Sequence, residues 1–112
     1  MLLKYCSTAS RTEIGNIGMK ISGLLWLEDI VDKLIRKHKV DKQEVKEVLQ
    51  SCPLFRFVEK GHRKGENVYA AFGQTERGRY LVVYFVLKKS KEALILSSRD
   101  MTPAERRKYE KK

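Results

Sequence analysis

Histidine, cysteine, tryptophan and proline are scarce in this 112-residue chain, which holds two His, two Cys, one Trp and two Pro. His38 and His62, and Cys6 and Cys52, fall at no metal-ligand spacing, and the chain has neither Cys-x-x-Cys nor His-x-x-x-His. Nothing here specifies a structural zinc site, so no metal is expected. Two distant cysteines also make a poor disulfide framework. The opening "MLLKYCSTASRTEIGNIG" lacks the apolar centre of a signal peptide, and the expected location is a reducing cytoplasm. No run approaches the roughly 20 apolar residues of a membrane span. A glycine-rich phosphate loop followed by Lys and a Gly-x-Ser-x-Gly elbow are both missing, which disfavours nucleotide hydrolysis and serine-nucleophile chemistry. No cofactor is expected.

Positive charge is plentiful instead. The formal net charge is +10, with 24 Lys/Arg against 14 Asp/Glu. Residues 1–55 hold 9 Lys/Arg and 7 Asp/Glu, whereas residues 56–112 hold 15 and 7. A basic excess confined to one half points to an anionic partner, with nucleic acid the commonest. The alternative is a merely soluble basic surface. No basic amphipathic helix with large apolar anchors supports a membrane surface.

Residues 1–18 are small, polar and aperiodic, and "MKISGLLWLEDIV" reads like a fresh start at Met19. We expect an N-terminal extension followed by a single domain over 19–112. A first helix is predicted over Leu25–His38, with Leu27, Ile30, Val31, Leu34, Ile35 and His38 at the spacing of one buried face. Asp41 and Glu44 form an acidic capping box for a second helix, worth about 1 kcal/mol, with Val40 and Val45 placed as its staple. Pro53 ends that helix, and the period then drops to near two. "LFRFVEK", "NVYAAFGQT", "RYLVVYFVLKK" and "ALILSSR" read as four strands joined by connections short enough to require antiparallel neighbours. The third is apolar almost throughout, as a central strand covered on both faces would be. A last helix starts at Thr102 and Pro103, with Glu105 completing a Thr-x-x-Glu box and Met101 and Tyr109 as anchors. The predicted fold is α+β, in the order α-α-β-β-β-β-α, with a four-stranded antiparallel meander packed by helices.

The remaining chemistry lies in Arg, Lys, His and Tyr around a small sheet. RNA cleavage needs no metal when the substrate's own 2′-hydroxyl attacks. The protein then orients the phosphate, stabilises its added charge and assists two proton transfers. Arg63, Arg77, Arg79 and Arg99 are the phosphate candidates, because a guanidinium donates two parallel hydrogen bonds. His38 and His62 are candidates for proton transfer, with Lys60, Glu66 and Tyr109 secondary. Each has a plainer reading: His38 as a helix-end packing residue, His62 as a solvated loop residue, Arg79 as a surface ion-pair partner. Arg106, Arg107 and Lys108 read as a solvated face or as backbone-phosphate contacts. Arg99 is the strongest candidate, since it ends an apolar strand immediately before the last helix.

Taken in order, "RKHKVDKQEVKEVL", "GHRKGENVYAAFGQTERGRYLVVYFV" and "ALILSSRDMTPAERRKYEKK" resemble the BrnT family of toxins over Met19–Lys112. That family's pattern runs Lys-His-Gly-Val with an acidic helix, a Gly-Arg turn before an apolar strand, a Ser-Ala-Arg strand end and an Arg-Arg-x-Tyr helix. The resemblance implies a RelE-like fold and a metal-independent endoribonuclease of a type II toxin–antitoxin system. It also implies a DNA-binding antitoxin of BrnA type encoded by a neighbouring gene, through which an oligomer would form. The matching positions are His38, Arg79, Arg99, Arg107 and Tyr109. Together with the candidates read from the residues, this makes Arg99, Arg79, His38 and His62 the expected catalytic residues, and Arg63, Arg77, Arg107, Lys108 and Tyr109 the expected RNA-binding ones. The chain departs from the pattern at Lys39, where glycine is usual and left-handed geometry is expected, and at Ser98, where alanine is common. It also carries Leu27 after Trp26, where many members have an acidic residue, and Leu34 in place of an asparagine. The residues alone leave a second reading open: a weak or inactive module of the same fold that binds nucleic acid or an antitoxin. A structural protein with incidental charge is a third.

Overall fold

The computed structural model describes residues 21–51, 53–61 and 65–111. The segment read as an extension, and His62 and Arg63, lie outside the described residues. Four strands follow the predicted alternation: β2 (Leu54–Lys60), β3 (Asn67–Gln74), β4 (Tyr80–Leu87) and β5 (Glu92–Asp100). They pair antiparallel in sequence order, each joined to the next by a short connection. In the centre, β4 buries Leu81, Val82, Val83 and Phe85 completely, as its unbroken apolar run requires.

A fifth strand corrects the predicted count. Gly23–Leu25 forms β1, which lies parallel to β5 with Leu24 opposite Ala93, and the sheet order is β1-β5-β4-β3-β2. Leu25 is therefore extended, and the first helix begins later than predicted. Helix α1 covers Glu28–Lys33 and widens into a π-helical turn over Leu34–His38. The wider turn breaks the predicted stripe. Leu34 is buried and Ile30 and Val31 half-buried, but Leu27, at the extended N-cap, and Ile35, inside the π turn, are each 49% exposed. Lys39 then closes the turn in the left-handed region (φ 56°), a conformation that favours glycine, and its N–H donates to the Leu34 carbonyl.

Helix α2 (Lys42–Gln50) has the predicted capping box: the Glu44 N–H donates to Asp41 Oδ1 at 2.9 Å, and the Asp41 N–H to Glu44 Oε1 at 3.2 Å. Its Val45 and Val48, with Val40, Leu34, Leu81, Val83, Phe85 and Ile95, fill the main core between helices and sheet. Close approach at Gly73 allows this packing, since a Cβ there would stand 3.0 Å from Val48 Cγ1 and 2.9 Å from Ser51 Oγ. The opposite face holds a smaller core of Ala70, Phe72 and Val82, against which α3 (Pro103–Lys111) packs through Tyr109. Met101 and Tyr109, the predicted anchors, pack there with Leu54 and Tyr84.

Candidate functional site

A one-residue bulge in β5 decides where Arg99 points. Phe85 pairs with Ile95, but the next residue of β4, Tyr84, pairs with Ser97, so Leu96 is extra. Ile95 faces the main core. Strict alternation would therefore send residue 99 to that side as well; the bulge reverses the phase. Arg99 consequently stands opposite Val82, on the face shared with Tyr84 and α3, while Asp100, opposite Leu81, faces the helices. Between them Ser98 is fully buried, its hydroxyl donating to the Val82 carbonyl at 3.0 Å.

On its new face Arg99 meets the start of α3. Its Nη1 and Nη2 donate to Glu105 Oε1 and Oε2 at 2.8 and 2.9 Å, a fork-to-fork ion pair. Nη1 also donates to the Asp100 carbonyl at 3.0 Å, and Nη2 to Tyr84 Oη at 2.9 Å. The same Glu105 closes the capping box of α3. The Thr102 N–H donates to Oε1 at 2.9 Å, and the Glu105 N–H donates to Thr102 Oγ1 at 3.2 Å. Hydrogen bonding from Arg99 holds the Glu105 carboxyl down at about 2, against the opposing effect of burial, and Glu105 in turn raises the Arg99 guanidinium above its ordinary value. About a third of the Arg99 side chain remains open to solvent (32%).

The exposed side of α3 carries Arg106, Arg107 and Lys108. Arg106 lies 4.0 Å from the centroid of the Tyr80 ring, and the Tyr80 hydroxyl donates to Glu110 at 2.8 Å. That bond to Glu110 raises the Tyr80 phenol. Tyr109 meets Tyr80 edge to face at 5.9 Å and is half-buried, and burial raises its phenol too. Arg107 and Lys108 are exposed on α3, and among the described residues neither takes part in this packing. Arg56, exposed on β2, lies 5.8 Å from the Phe72 ring on the same sheet face.

Arg79 occupies the other side of the sheet. It follows a turn in which Gly78, at φ 93°, donates to the Thr75 carbonyl at 2.9 Å. Its Nε donates to Asp100 Oδ1 (2.8 Å), Nη1 to the Lys39 carbonyl (2.7 Å) and to Glu44 (3.1 Å), and Nη2 to the His38 carbonyl (2.9 Å). A longer contact from Nη2 reaches Asp100 Oδ2 at 3.4 Å. Hydrogen bonding to Asp100, then Glu44, raises the guanidinium, while burial opposes the rise. Arg79 therefore closes the end of the π turn onto the start of β4, and the ion pairs weighed as its plainer reading are present. His38, half-buried at that turn, belongs to this cluster through its carbonyl.

Of the expected site residues, Arg99, Arg107, Lys108 and Tyr109 come together around α3, whereas Arg79 and His38 come together across the sheet. Arg77 stands exposed in the β3–β4 turn. Lys60 is exposed at the end of edge strand β2, and Glu66 is buried and paired with Lys88 at 3.2 Å. Sequence reasoning missed Tyr84, Asp100 and the double duty of the two capping glutamates. Glu44 and Glu105 each cap a helix and hold an arginine 35 and 6 residues away. An acidic residue at the third position of a capped helix, with a strand-end arginine elsewhere, was the available signal.

A family model for the ribonuclease toxin BrnT of type II toxin–antitoxin systems matches residues 26–105. No curated protein matches the chain significantly by sequence. Among solved structures, the chain is similar to the 1.1 Å crystal structure of the Brucella abortus ribonuclease toxin BrnT, with a TM-score of 0.51 and 16% identity, covering 74% of this chain and 99% of that one. At that identity the likeness is one of fold. The family match takes in both capping boxes, the Arg79 clamp and the Arg99 strand end, and the chain belongs to the BrnT family of ribonuclease toxins of type II toxin–antitoxin systems.

Proposed function

We propose that this protein is an endoribonuclease toxin that cuts RNA by attack of the substrate's 2′-hydroxyl, on the sheet face that carries Arg99 and α3. The observation that carries the reading is the aim of Arg99, turned by the β5 bulge onto a face whose helix presents Arg107 and Lys108 to solvent. A fixed, permanently charged guanidinium favours the charge that accumulates on phosphate during the reaction, in a site that need not reorganise. The helix cations track the RNA backbone, which supplies affinity and salt dependence rather than sequence preference. Because the nucleophile belongs to the substrate, no metal-bound water is called for. Arg79 and His38 act in this account by fixing the end of the π turn. RNA as substrate places the activity in the cytoplasm; among the described residues no helix is long and apolar enough to cross a membrane.

An antitoxin is the partner the family implies, and a BrnA-type DNA-binding protein is the form we propose. A chain with a net charge of +10 calls for an acidic partner surface. A second reading, a weakly active or inactive binding module, is favoured by one observation: both terminal nitrogens of Arg99 already donate to protein groups. Induction of the full chain in a bacterial host separates the two. A toxin arrests growth and degrades cellular RNA, and Arg99→Ala relieves both. Normal growth with intact RNA would reject the toxin reading.

A further inference from the structure

Arg99 has little left to offer outward: of its donors only the Nε–H has no partner among the described residues. A guanidinium has five N–H donors, and the four on Nη1 and Nη2 go to Glu105 Oε1, the Asp100 carbonyl, Glu105 Oε2 and Tyr84 Oη, at 2.8 to 3.0 Å. A bidentate grip on phosphate through those nitrogens would break the fork with Glu105 or strip the Asp100 carbonyl of its donor. Tyr84 has the opposite arrangement. Its oxygen accepts from Arg99, and its own O–H donates to no group among the described residues.

The rest of the environment fits a donor held in place. Tyr84 lies on central strand β4, where its ring packs against the small core of Ala70, Phe72 and Val82. The Arg99 guanidinium carbon lies 5.7 Å from the ring centroid, so one cation holds both the ring and the hydroxyl. The side chain is half-buried and has few rotatable bonds, whereas Arg107 and Lys108 are long and exposed. A hydroxyl whose oxygen accepts from a cation is polarised toward donating its own proton to an acceptor. Phosphate oxygens are acceptors only. The two other tyrosines of this face are differently engaged: Tyr80 donates to Glu110, and Tyr109 packs into the core of α3.

Resting on the ribonuclease reading above, we infer that Tyr84 is the residue that touches the scissile phosphate, donating its hydroxyl to a non-bridging oxygen, and that Arg99 acts through it as a positioning residue. The proton stays on Tyr84 throughout, and the hydrogen bond strengthens as negative charge builds on the phosphate oxygens.

The test compares wild type, Tyr84→Phe and Arg99→Lys as full chains on a short RNA with one cleavable linkage. It uses that RNA with ordinary phosphate and with a stereopure phosphorothioate of each hand. Loss of a transition-state donor predicts that Tyr84→Phe lowers kcat on the order of 10²-fold at unchanged thermal midpoint. Sulfur, a poorer acceptor, slows wild type in one of the two stereoisomers and has no further effect on Tyr84→Phe, because the two changes remove the same bond. A purely structural Tyr84 would leave the sulfur effect intact. Cleavage by Tyr84→Phe within about twofold of wild type, or a sulfur effect equal in both proteins, overturns the assignment. If wild type cuts none of the three RNAs, the ribonuclease reading falls by itself. Tyr84 is then judged by affinity for the 2′-deoxy form of the linkage, which Tyr84→Phe must weaken about fivefold, one hydrogen bond's net worth, for the contact to stand.

Discussion

Glu105 closes the first turn of the last helix and holds Arg99 with the same carboxylate. The helix start and the aim of the arginine are therefore one structural unit. Replacing Glu105 with Gln removes the charge of the ion pair while keeping a capping side chain, and should lower stability by about 1–2 kcal/mol. Urea unfolding measures this directly, and Glu105→Ala should cost more than Glu105→Gln.

The same pair makes a pH prediction. The Glu105 carboxyl is depressed from its ordinary 4.5 to about 2 in the folded protein. A depressed folded-state value adds stability that is complete above pH 4.5 and lost as the pH falls through about 2. Acid unfolding followed by circular dichroism should show that loss in wild type, and the Glu105→Gln protein should show a flatter profile across the same window.

Arg79 is expected to matter for stability before it matters for cleavage. Its removal strands Glu44, Asp100 and the carbonyls of His38 and Lys39, which now accept at 2.7 to 3.1 Å. Arg79→Ala should cost about 2–3 kcal/mol, read as a lower urea midpoint. Cleavage by Arg79→Lys, assayed well below its unfolding temperature, should stay within several-fold of wild type. A loss as deep as that of Arg99→Ala in a folded Arg79→Lys protein would move the site across the sheet.

Gly73 tests the packing that brings α2 onto β3. A methyl group there would press on Val48 Cγ1 and Ser51 Oγ at 3.0 and 2.9 Å. Gly73→Ala should destabilise by about 1–3 kcal/mol, visible as a lower thermal midpoint with no change in RNA affinity of the folded protein.

The α3 cations should behave in the reverse way. Arg107→Gln with Lys108→Gln should leave the thermal midpoint unchanged, since both side chains are exposed. The slope of log affinity for RNA against log salt should fall by about one per charge removed. Filter binding across a salt series reads that slope.

Local chemistry made much of this fold legible in the sequence. Asp41 with Glu44 and Thr102 with Glu105 announced two helix starts, and the continuous apolar run of β4 announced a strand covered on both faces. Lys39 takes the left-handed turn that its position called for. Four features were hidden for physical reasons. Strand β1 has three residues, and its Leu24 and Leu25 also fit the start of an amphipathic helix, so only pairing with β5 identifies it. The π turn over Leu34–His38 shifts the helical phase without changing composition. In "ALILSSR" no residue marks Leu96 as extra, yet that bulge alone puts Arg99 with Tyr84 rather than with the main core. The Arg79 clamp joins groups 21 to 41 residues apart, beyond the reach of any local motif.

The central claim is that the Arg99 face cuts RNA by attack of the 2′-hydroxyl, and end analysis of RNA incubated with the purified full chain tests it most directly. The account predicts new fragments with 2′,3′-cyclic phosphate and 5′-hydroxyl ends, formed by wild type and lost in an Arg99→Ala protein that circular dichroism shows to be folded. Intact RNA, fragments with 5′-phosphate ends, or equal cleavage by folded Arg99→Ala would contradict it.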